Sequence, residues 1–201
     1  DRHMRLRSRL AACLAAIALV SLTAGCTLGL PDQGADVPVT RWDHRPEARD
    51  WTEAALGAIS TKGRDLVETE PADISYYCPG YAGGTEDDRA AFWVGLMSAL
   101  AKYESGWRPE AAGAGGLYRG LMQIAPATAR SYGCDAATLY EGTENLSCAV
   151  SIASRQVGRT GLVAGAPGQW GGLALDWGPM RSAAKRSEIA AWTRAQDYCR
   201  G

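Results

Sequence analysis

One carboxylate, Glu104, stands where an apolar run meets a glycine-rich loop. The run over residues 90–100 is apolar apart from Ser98, and Ser105 and Gly106 follow Glu104 directly. A carboxyl group at the end of such a run loses part of its hydration, which favours the neutral acid and raises its pKa. A glutamic acid that stays protonated near neutral pH can act as a general acid. We therefore expect acid–base chemistry at Glu104, the alternative being an exposed glutamate at a helix end.

The composition argues against several other kinds of chemistry. The 201 residues carry 21 Lys and Arg against 22 Asp and Glu, so we expect no nucleic-acid partner. The two histidines, His3 and His44, both precede the segment that we expect to form the main domain. A histidine-based metal site or a Ser–His pair inside that domain is therefore not expected, and we predict no metal and no cofactor.

Four short motifs, taken in order, resemble those of the soluble lytic transglycosylases and goose-type lysozymes. They are Glu104-Ser105, Gly120-Leu121-Met122-Gln123-Ile124, Glu144-Asn145 and Ala174-Leu175-Asp176-Trp177-Gly178. The resemblance covers residues 76–201. It implies a mainly α, lysozyme-like domain with little or no β structure, which would cleave the β-1,4 bond between N-acetylmuramic acid and N-acetylglucosamine in peptidoglycan.

The resemblance also assigns roles to single residues. Glu104 would be the only general acid and base, because in this family the N-acetyl group of the substrate stabilises the reacting carbon. The C6 hydroxyl of the sugar then attacks, which leaves a 1,6-anhydromuramoyl end. By the same resemblance Ser105 would orient the acid. Gly120, Met122 and Gln123 would line the muramoyl subsite.

The fourth motif departs from the family pattern Ala-Tyr-Asn-Ala-Gly. Leu175 replaces the tyrosine and Asp176 replaces the asparagine. Tyr118 or Trp177 could supply the missing contact to the substrate, and Asp176 could be the second carboxylate that most glycosidases use. Two alternatives to a transglycosylase therefore stay open. One is a hydrolytic muramidase of the same fold, and the other is a non-catalytic scaffold that binds peptidoglycan in an envelope assembly.

The first 26 residues predict a lipoprotein-type signal peptide. Residues 1–3 are interpreted as a remnant of cloning, and arginines then precede an apolar run over residues 10–20 that is too short to span a bilayer. Residues 22–26 resemble a lipobox, which implies lipidation of Cys26, the alternative being an ordinary secretory signal. We expect a periplasmic protein anchored to the outer membrane, with peptidoglycan strands and envelope-spanning machinery as partners.

Two segments separate this leader from the main domain. Residues 27–45 carry prolines and show little apolar periodicity, which predicts a flexible tether. Residues 46–75 predict a helix and a connection that either packs on the domain or binds a partner. Within the domain, we expect Asn145 to cap the helix that follows it, and a short helix over residues 169–177.

Cysteine usage predicts two disulfides. Of six cysteines, one lies in the signal segment and Cys26 is the lipidation site, which leaves four. An even number in an exported domain without a Cys-x-x-Cys pair favours disulfides over zinc. Of the three connectivities we favour Cys134–Cys148, which closes a short loop, and Cys78–Cys199, which joins the two ends of the domain.

Overall fold

The computed structural model describes residues 37–200, and the helix that ends at Glu104 is its central element. The helices of this range are α1 (Ala48–Lys62), α2 (Arg64–Glu68), α3 (Ile74–Tyr77), α4 (Glu86–Glu104), α5 (Pro126–Ser131), α6 (Gly142–Thr160) and α7 (Ala183–Arg194). Its strands are β1 (Ala112–Gly113), β2 (Tyr118–Arg119), β3 (Gly165–Ala166) and β4 (Gln169–Trp170). Short 3₁₀ turns connect several of these elements.

Helix α4 is enclosed by its neighbours along most of its length. It begins with a capping box, in which Thr85 Oγ1 accepts the Asp88 N–H at 3.1 Å and the Asp88 carboxylate accepts the Thr85 N–H at 2.9 Å. Every residue from Ala91 to Ala101 is buried, and α1, α2 and α7 all pack against the helix. The apolar run of the sequence is therefore buried on all sides of the helix. Glu104 is therefore carried by a rigid core element.

Residues 37–75 belong to the same packed unit as the domain that follows them. Helix α1 packs along α6, and Trp42 is fully buried, with its Nε1 donating to Thr52 Oγ1 at 2.9 Å. The tether predicted over residues 27–45 is therefore too long, because residues 37–45 pack on the domain. Burial of Trp42 stabilises the packing of this segment on the domain. The prolines nearby indicated a tether and gave no sign of this packing.

Part of the predicted N-terminal organisation lies outside the described residues. This applies to the signal peptide over residues 1–26, to its lipidation site Cys26, and to residues 27–36 of the tether. Between residues 37 and 200, the structure has no helix both long and apolar enough to cross a membrane.

Both predicted disulfides are present. The Cys134 and Cys148 sulfurs are 2.07 Å apart, and the Cys78 and Cys199 sulfurs are 1.94 Å apart. The first bond joins α6 to the loop after α5. The second joins the chain after α3 to the C-terminal turn. Each stabilises the fold by restricting the unfolded chain, and the short loop alone contributes about 3 kcal/mol in the chain-entropy model.

The β structure consists of two small hairpins, one beside the acid and one after α6. Strand β1 pairs antiparallel with β2, and β3 with β4. The prediction of a helix over residues 169–177 is wrong, because residues 169–170 form β4 and a 3₁₀ turn covers Gly172–Leu175. Gly172 has a φ of 46°, and a Cβ there would lie 2.1 Å from the Leu162 carbonyl oxygen. The close approach of these two chain segments therefore replaces a regular helix.

Candidate active site

Glu104 opens onto a cleft of about 420 Å³ at the C-terminal end of α4. One wall comes from α4 itself, the second from the β1–β2 hairpin and the turn after it, and the third from residues 176–185. Besides Glu104, the cleft is lined by the side chains of Tyr103, Tyr118, Gln123, Asp176, Ser182 and Lys185. A smaller recess adjoins the cleft and shares Tyr118, Gln123 and Asp176 with it.

Burial gives Glu104 the properties of an acid that works at neutral pH. It raises the pKa of Glu104 from 4.5 to about 7, and the positive charge of Lys185 opposes this change. The Oε1 atom is buried, and no group of residues 37–200 donates a hydrogen bond to it. A carboxylate without donors is costly away from water, so the neutral form is favoured. A group with this pKa can both give and take a proton near pH 7.

An ionised glutamate on α7 holds the cleft wall next to the acid. The Glu188 carboxylate accepts hydrogen bonds from Arg41 Nη1 at 2.7 Å, from Tyr103 Oη at 2.8 Å and from Lys102 Nζ at 3.2 Å. The hydrogen bond from Arg41 is the main reason that the pKa of Glu188 falls to about 2. Glu188 therefore ties together α7, the end of α4 and the chain that precedes α1.

The loop that follows the acid contains strained backbone at three residues that are not glycine, and two of them, Trp107 and Gln123, have side chains that hold them in place. Trp107 has a φ of 59° and Gln123 a φ of 48°, in the left-handed region that such residues rarely adopt. Each is held by its own side chain. Trp107 Nε1 donates to the Ser98 carbonyl at 2.9 Å, and Gln123 Nε2 donates to the carbonyls of Ala111 and Gly120 at 3.1 and 2.9 Å. Strain of this kind concentrates at functional sites.

Asn145 fixes the second motif against α6. It is fully buried, its Oδ1 accepts the Met122 N–H at 2.8 Å, and its Nδ2 donates to the carbonyls of Arg119 and Leu139 at 2.9 and 2.8 Å. The prediction that Asn145 caps the helix is wrong, because α6 begins earlier, at Gly142. The amide therefore satisfies loop backbone groups that would otherwise be buried without partners.

Comparison with known proteins assigns this domain to a family. Residues 84–166 match the family model described as Transglycosylase SLT domain. This match identifies residues 84–166 as an SLT domain. This family is one of lytic transglycosylases, and it implies peptidoglycan as the substrate.

Solved structures of the protein titled Bd0314 DslA share the fold of this SLT domain. The wild-type form 2 has a TM-score of 0.73 and 27% identity, and the match covers 81% of this chain and 98% of that chain. A glutamate-to-glutamine mutant of the same protein has a TM-score of 0.75, with the same identity and coverage. Among curated protein sequences none matches this chain significantly. The predicted mainly helical, lysozyme-like fold is confirmed.

Three residues that we expected to contact substrate have packing roles in the SLT domain. Gly120 has a φ of 77°, and a Cβ there would lie 2.1 Å from the Leu139 carbonyl oxygen and 2.3 Å from Asn145 Nδ2. The protein's own packing is therefore sufficient to require glycine at this position. Met122 is fully buried, and Trp177 is 3% exposed with its Nε1 donating to the Met122 carbonyl at 2.9 Å. Trp177 reaches only the smaller recess.

Ser105 ends α4, and its hydroxyl makes its hydrogen bonds within residues 37–200 to backbone groups rather than to the acid. Among the hydrogen bonds of residues 37–200, its Oγ donates to the Ala101 carbonyl at 3.3 Å and accepts the Arg108 N–H at 3.3 Å. The structure therefore corrects the expectation that Ser105 orients Glu104. A serine at a helix end satisfies local backbone groups instead, as this hydroxyl does.

The other predicted residues do lie at the cleft, together with two that the sequence did not suggest. Tyr118 is 44% exposed, Asp176 is exposed, and both line the cleft. The structure adds Tyr103 and Lys185. Tyr103 immediately precedes Glu104, which is the only local signal that could have identified it. Lys185 belongs to none of the four motifs.

His44 is an exposed residue of the packed unit, although the sequence analysis placed it before the domain. Its ring is 4.7 Å from that of Trp107, edge to face, so it supports the loop after the acid. In the part of the chain that the structure describes, no group of three His, Cys, Asp or Glu residues could hold a metal ion.

Proposed function

We propose that this SLT domain is a peptidoglycan lytic transglycosylase that cleaves the β-1,4 bond between N-acetylmuramic acid and N-acetylglucosamine. The observation that carries the proposal is Glu104, a half-buried carboxyl with a pKa of about 7 that opens onto the cleft. The family match supplies the substrate class. Glu104 is then the only acid and base that the reaction requires.

The reaction has two steps, and the proton passes through the same carboxyl in both. Glu104 first gives its proton to the bridging oxygen as the bond from C1 breaks, while the N-acetyl carbonyl of the muramoyl residue stabilises C1. The C6 hydroxyl of that residue then attacks C1, and its proton returns to Glu104. No water is consumed, and the product ends in a 1,6-anhydro ring. Desolvation serves both steps, because it favours the acid first and makes the carboxylate a stronger base afterwards.

Asp176 supports a second candidate function, a hydrolytic muramidase. Its exposed carboxylate lines the same cleft as Glu104, and Gln156 Nε2 donates to its Oδ2 at 2.6 Å. A carboxylate so held could activate water or stabilise the reacting carbon, as the second carboxylate of other glycosidases does. The two candidates differ in one measurable property, because a reducing end is heavier than an anhydro end by one water.

The test is digestion of purified peptidoglycan by the protein without residues 1–26, with the products identified by mass. We expect anhydromuropeptides from the wild type and a loss of rate of about 10²- to 10⁴-fold in Glu104→Gln. Glu110→Gln, which changes an exposed glutamate of the following loop, is the matched control and keeps its activity. If the wild type released reducing ends and Asp176→Asn did not, the enzyme would be a hydrolase. Binding to peptidoglycan without release of sugar from the wild type would support the non-catalytic scaffold.

We also propose that the protein is exported and anchored to the outer membrane by lipid at Cys26. The support is the signal-like pattern of residues 1–26 and the two disulfides, which are typical of proteins in oxidising compartments. Labelling with a radioactive fatty acid followed by membrane fractionation tests this. Wild type is expected to carry label in the outer-membrane fraction. Equal labelling of Cys26→Ser would contradict the assignment.

A further inference from the structure

Lys185 is a cation at the cleft that the domain itself does not neutralise. Its exposed side chain lines the same cleft as Glu104. The ion pairs of residues 37–200, defined by an N···O distance of at most 4.0 Å, include Lys102 with Glu188 but none with Lys185. The lysine is therefore available to a ligand that occupies the cleft.

The position of this lysine is electrostatically unfavourable in the absence of a ligand. Lys185 lies in the first turn of α7, which begins at Ala183. The N–H groups of a first turn carry positive partial charge, so a lysine there is disfavoured. Its charge also lowers the pKa of Glu104, which works against the protonation that burial favours. An anion bound at Lys185 would relieve both effects.

The neighbouring aromatic ring places the ammonium group at the cleft wall. Lys185 Nζ lies 5.2 Å from the ring centroid of Tyr103, and Tyr103 Oη is fixed by Glu188 at 2.8 Å. Lys102 Nζ lies 5.3 Å from the same ring but is bonded to Glu188 at 3.2 Å. Of the two lysines that contact Tyr103, one therefore holds the wall and the other faces the substrate space.

We propose that Lys185 binds a carboxylate of the substrate, so that the cleft selects anionic glycan strands over strands whose carboxylates are neutralised. This inference rests on the proposed function. The muramoyl residue differs from N-acetylglucosamine by a lactyl group on O3, which ends in a carboxylate or continues into a peptide that carries carboxylates. A lysine ammonium is a suitable partner for either, because charge-assisted hydrogen bonds are stronger than neutral ones.

Binding to an inactive parent tests the proposal separately from catalysis. Glu104→Gln is the parent, and Lys185→Gln or Lys62→Gln is added to it. Lys62 is an exposed lysine at the end of α1 and serves as the matched control. The ligands are peptide-bearing strands, strands freed of peptide by an amidase, and both of these after conversion of their carboxylates to methylamides.

We expect the parent and its Lys62→Gln derivative to bind the anionic strands about tenfold more tightly than the amidated ones. Lys185→Gln should remove this difference. Loss of discrimination on peptide-free strands would identify the lactyl carboxylate, and loss only on peptide-bearing strands would identify the peptide. Unchanged discrimination in Lys185→Gln, or an equal loss in Lys62→Gln, would overturn the proposal. Absence of cleavage by the wild type would overturn the proposed function instead.

A second readout separates ligand binding from a structural role. In the otherwise wild-type enzyme, Lys185→Gln removes a charge that lowers the pKa of Glu104. The alkaline limb of the pH profile of kcat/KM should therefore move to higher pH, while KM for the anionic strands rises. A variant that is only misfolded would lose activity at every pH without moving the limb.

Discussion

Replacement of Glu104 by glutamine is expected to stabilise the protein at alkaline pH. Burial raises the pKa of Glu104 from 4.5 to about 7, so the folded state holds this proton more tightly than the unfolded chain. Below the unfolded value both states are protonated, and the residue has no effect on the pH dependence. As the pH rises from 4.5 to 7 the unfolded chain ionises first, so the free energy of unfolding falls. The loss is complete above the folded pKa.

The size of the effect follows from the two pKa values. The difference between 4.5 and about 7 corresponds to about 3 kcal/mol. This is an upper value, because Glu104 borders the cleft and water screens part of the charge. Glutamine has nearly the same shape and no charge to desolvate. For a domain of this size, about 1–3 kcal/mol raises Tm by roughly 3–10 °C.

Thermal and urea unfolding of both proteins across this pH range measures the effect. The quantity of interest is the stability of Glu104→Gln minus that of the wild type, because the other titrating groups cancel in this difference. It should be near zero at pH 4.5 and reach its full value by pH 8. Glu110→Gln, at an exposed position in the following loop, should show no comparable trend. A difference that does not change with pH, or a glutamine variant that is less stable at pH 8, would refute the reasoning.

Three further sets of substitutions test the packing of the domain by urea unfolding. Gly95→Ala should cost about 1–3 kcal/mol, because its Cβ would lie 2.0 Å from a tyrosine hydroxyl, whereas Gly57→Ala, in open space on α1, should stabilise by up to about 1 kcal/mol. Gly120→Ala should cost more than Gly133→Ala, since both have φ above 70° but only Gly120 abuts a buried asparagine. Changing both cysteines of the Cys134 disulfide to serine should cost about 3 kcal/mol.

The sequence was sufficient for the features that depend on neighbouring residues. Thr85 and the acidic residues after it determine the start of α4 through a capping box. Four cysteines outside the predicted signal segment favoured two disulfides, and both bonds are present. Glu104 was identified because an apolar run and a glycine-rich loop meet at it. Each of these signals is a residue type or a spacing that can be recognised without knowledge of the tertiary contacts.

The features that depend on distant residues were missed for the same reason. Asn145 seemed to be a cap because it precedes an apolar helix, yet its amide serves backbone groups more than twenty residues earlier in the chain, at Arg119 and Met122. Lys185 reaches the cleft only because α7 packs against α4. Trp42 is buried by a helix that follows the supposed tether. Periodicity describes one element at a time and cannot report which surfaces meet.

The arrangement of Glu104 and Lys185 predicts that substrate binding changes the acidity of the Glu104 carboxyl. In the free enzyme, burial raises the pKa of Glu104 and Lys185 lowers it. A substrate carboxylate bound at Lys185 would cancel the lysine charge and exclude more water, and both changes raise the pKa. The profile of kcat/KM reports the free enzyme and that of kcat the complex, so the alkaline limb of kcat should lie at higher pH. With amidated strands, or in Lys185→Gln, the two limbs should move closer together. If the alkaline limbs of kcat and kcat/KM coincided for the wild type on anionic strands, the bound substrate would leave the pKa of Glu104 unchanged.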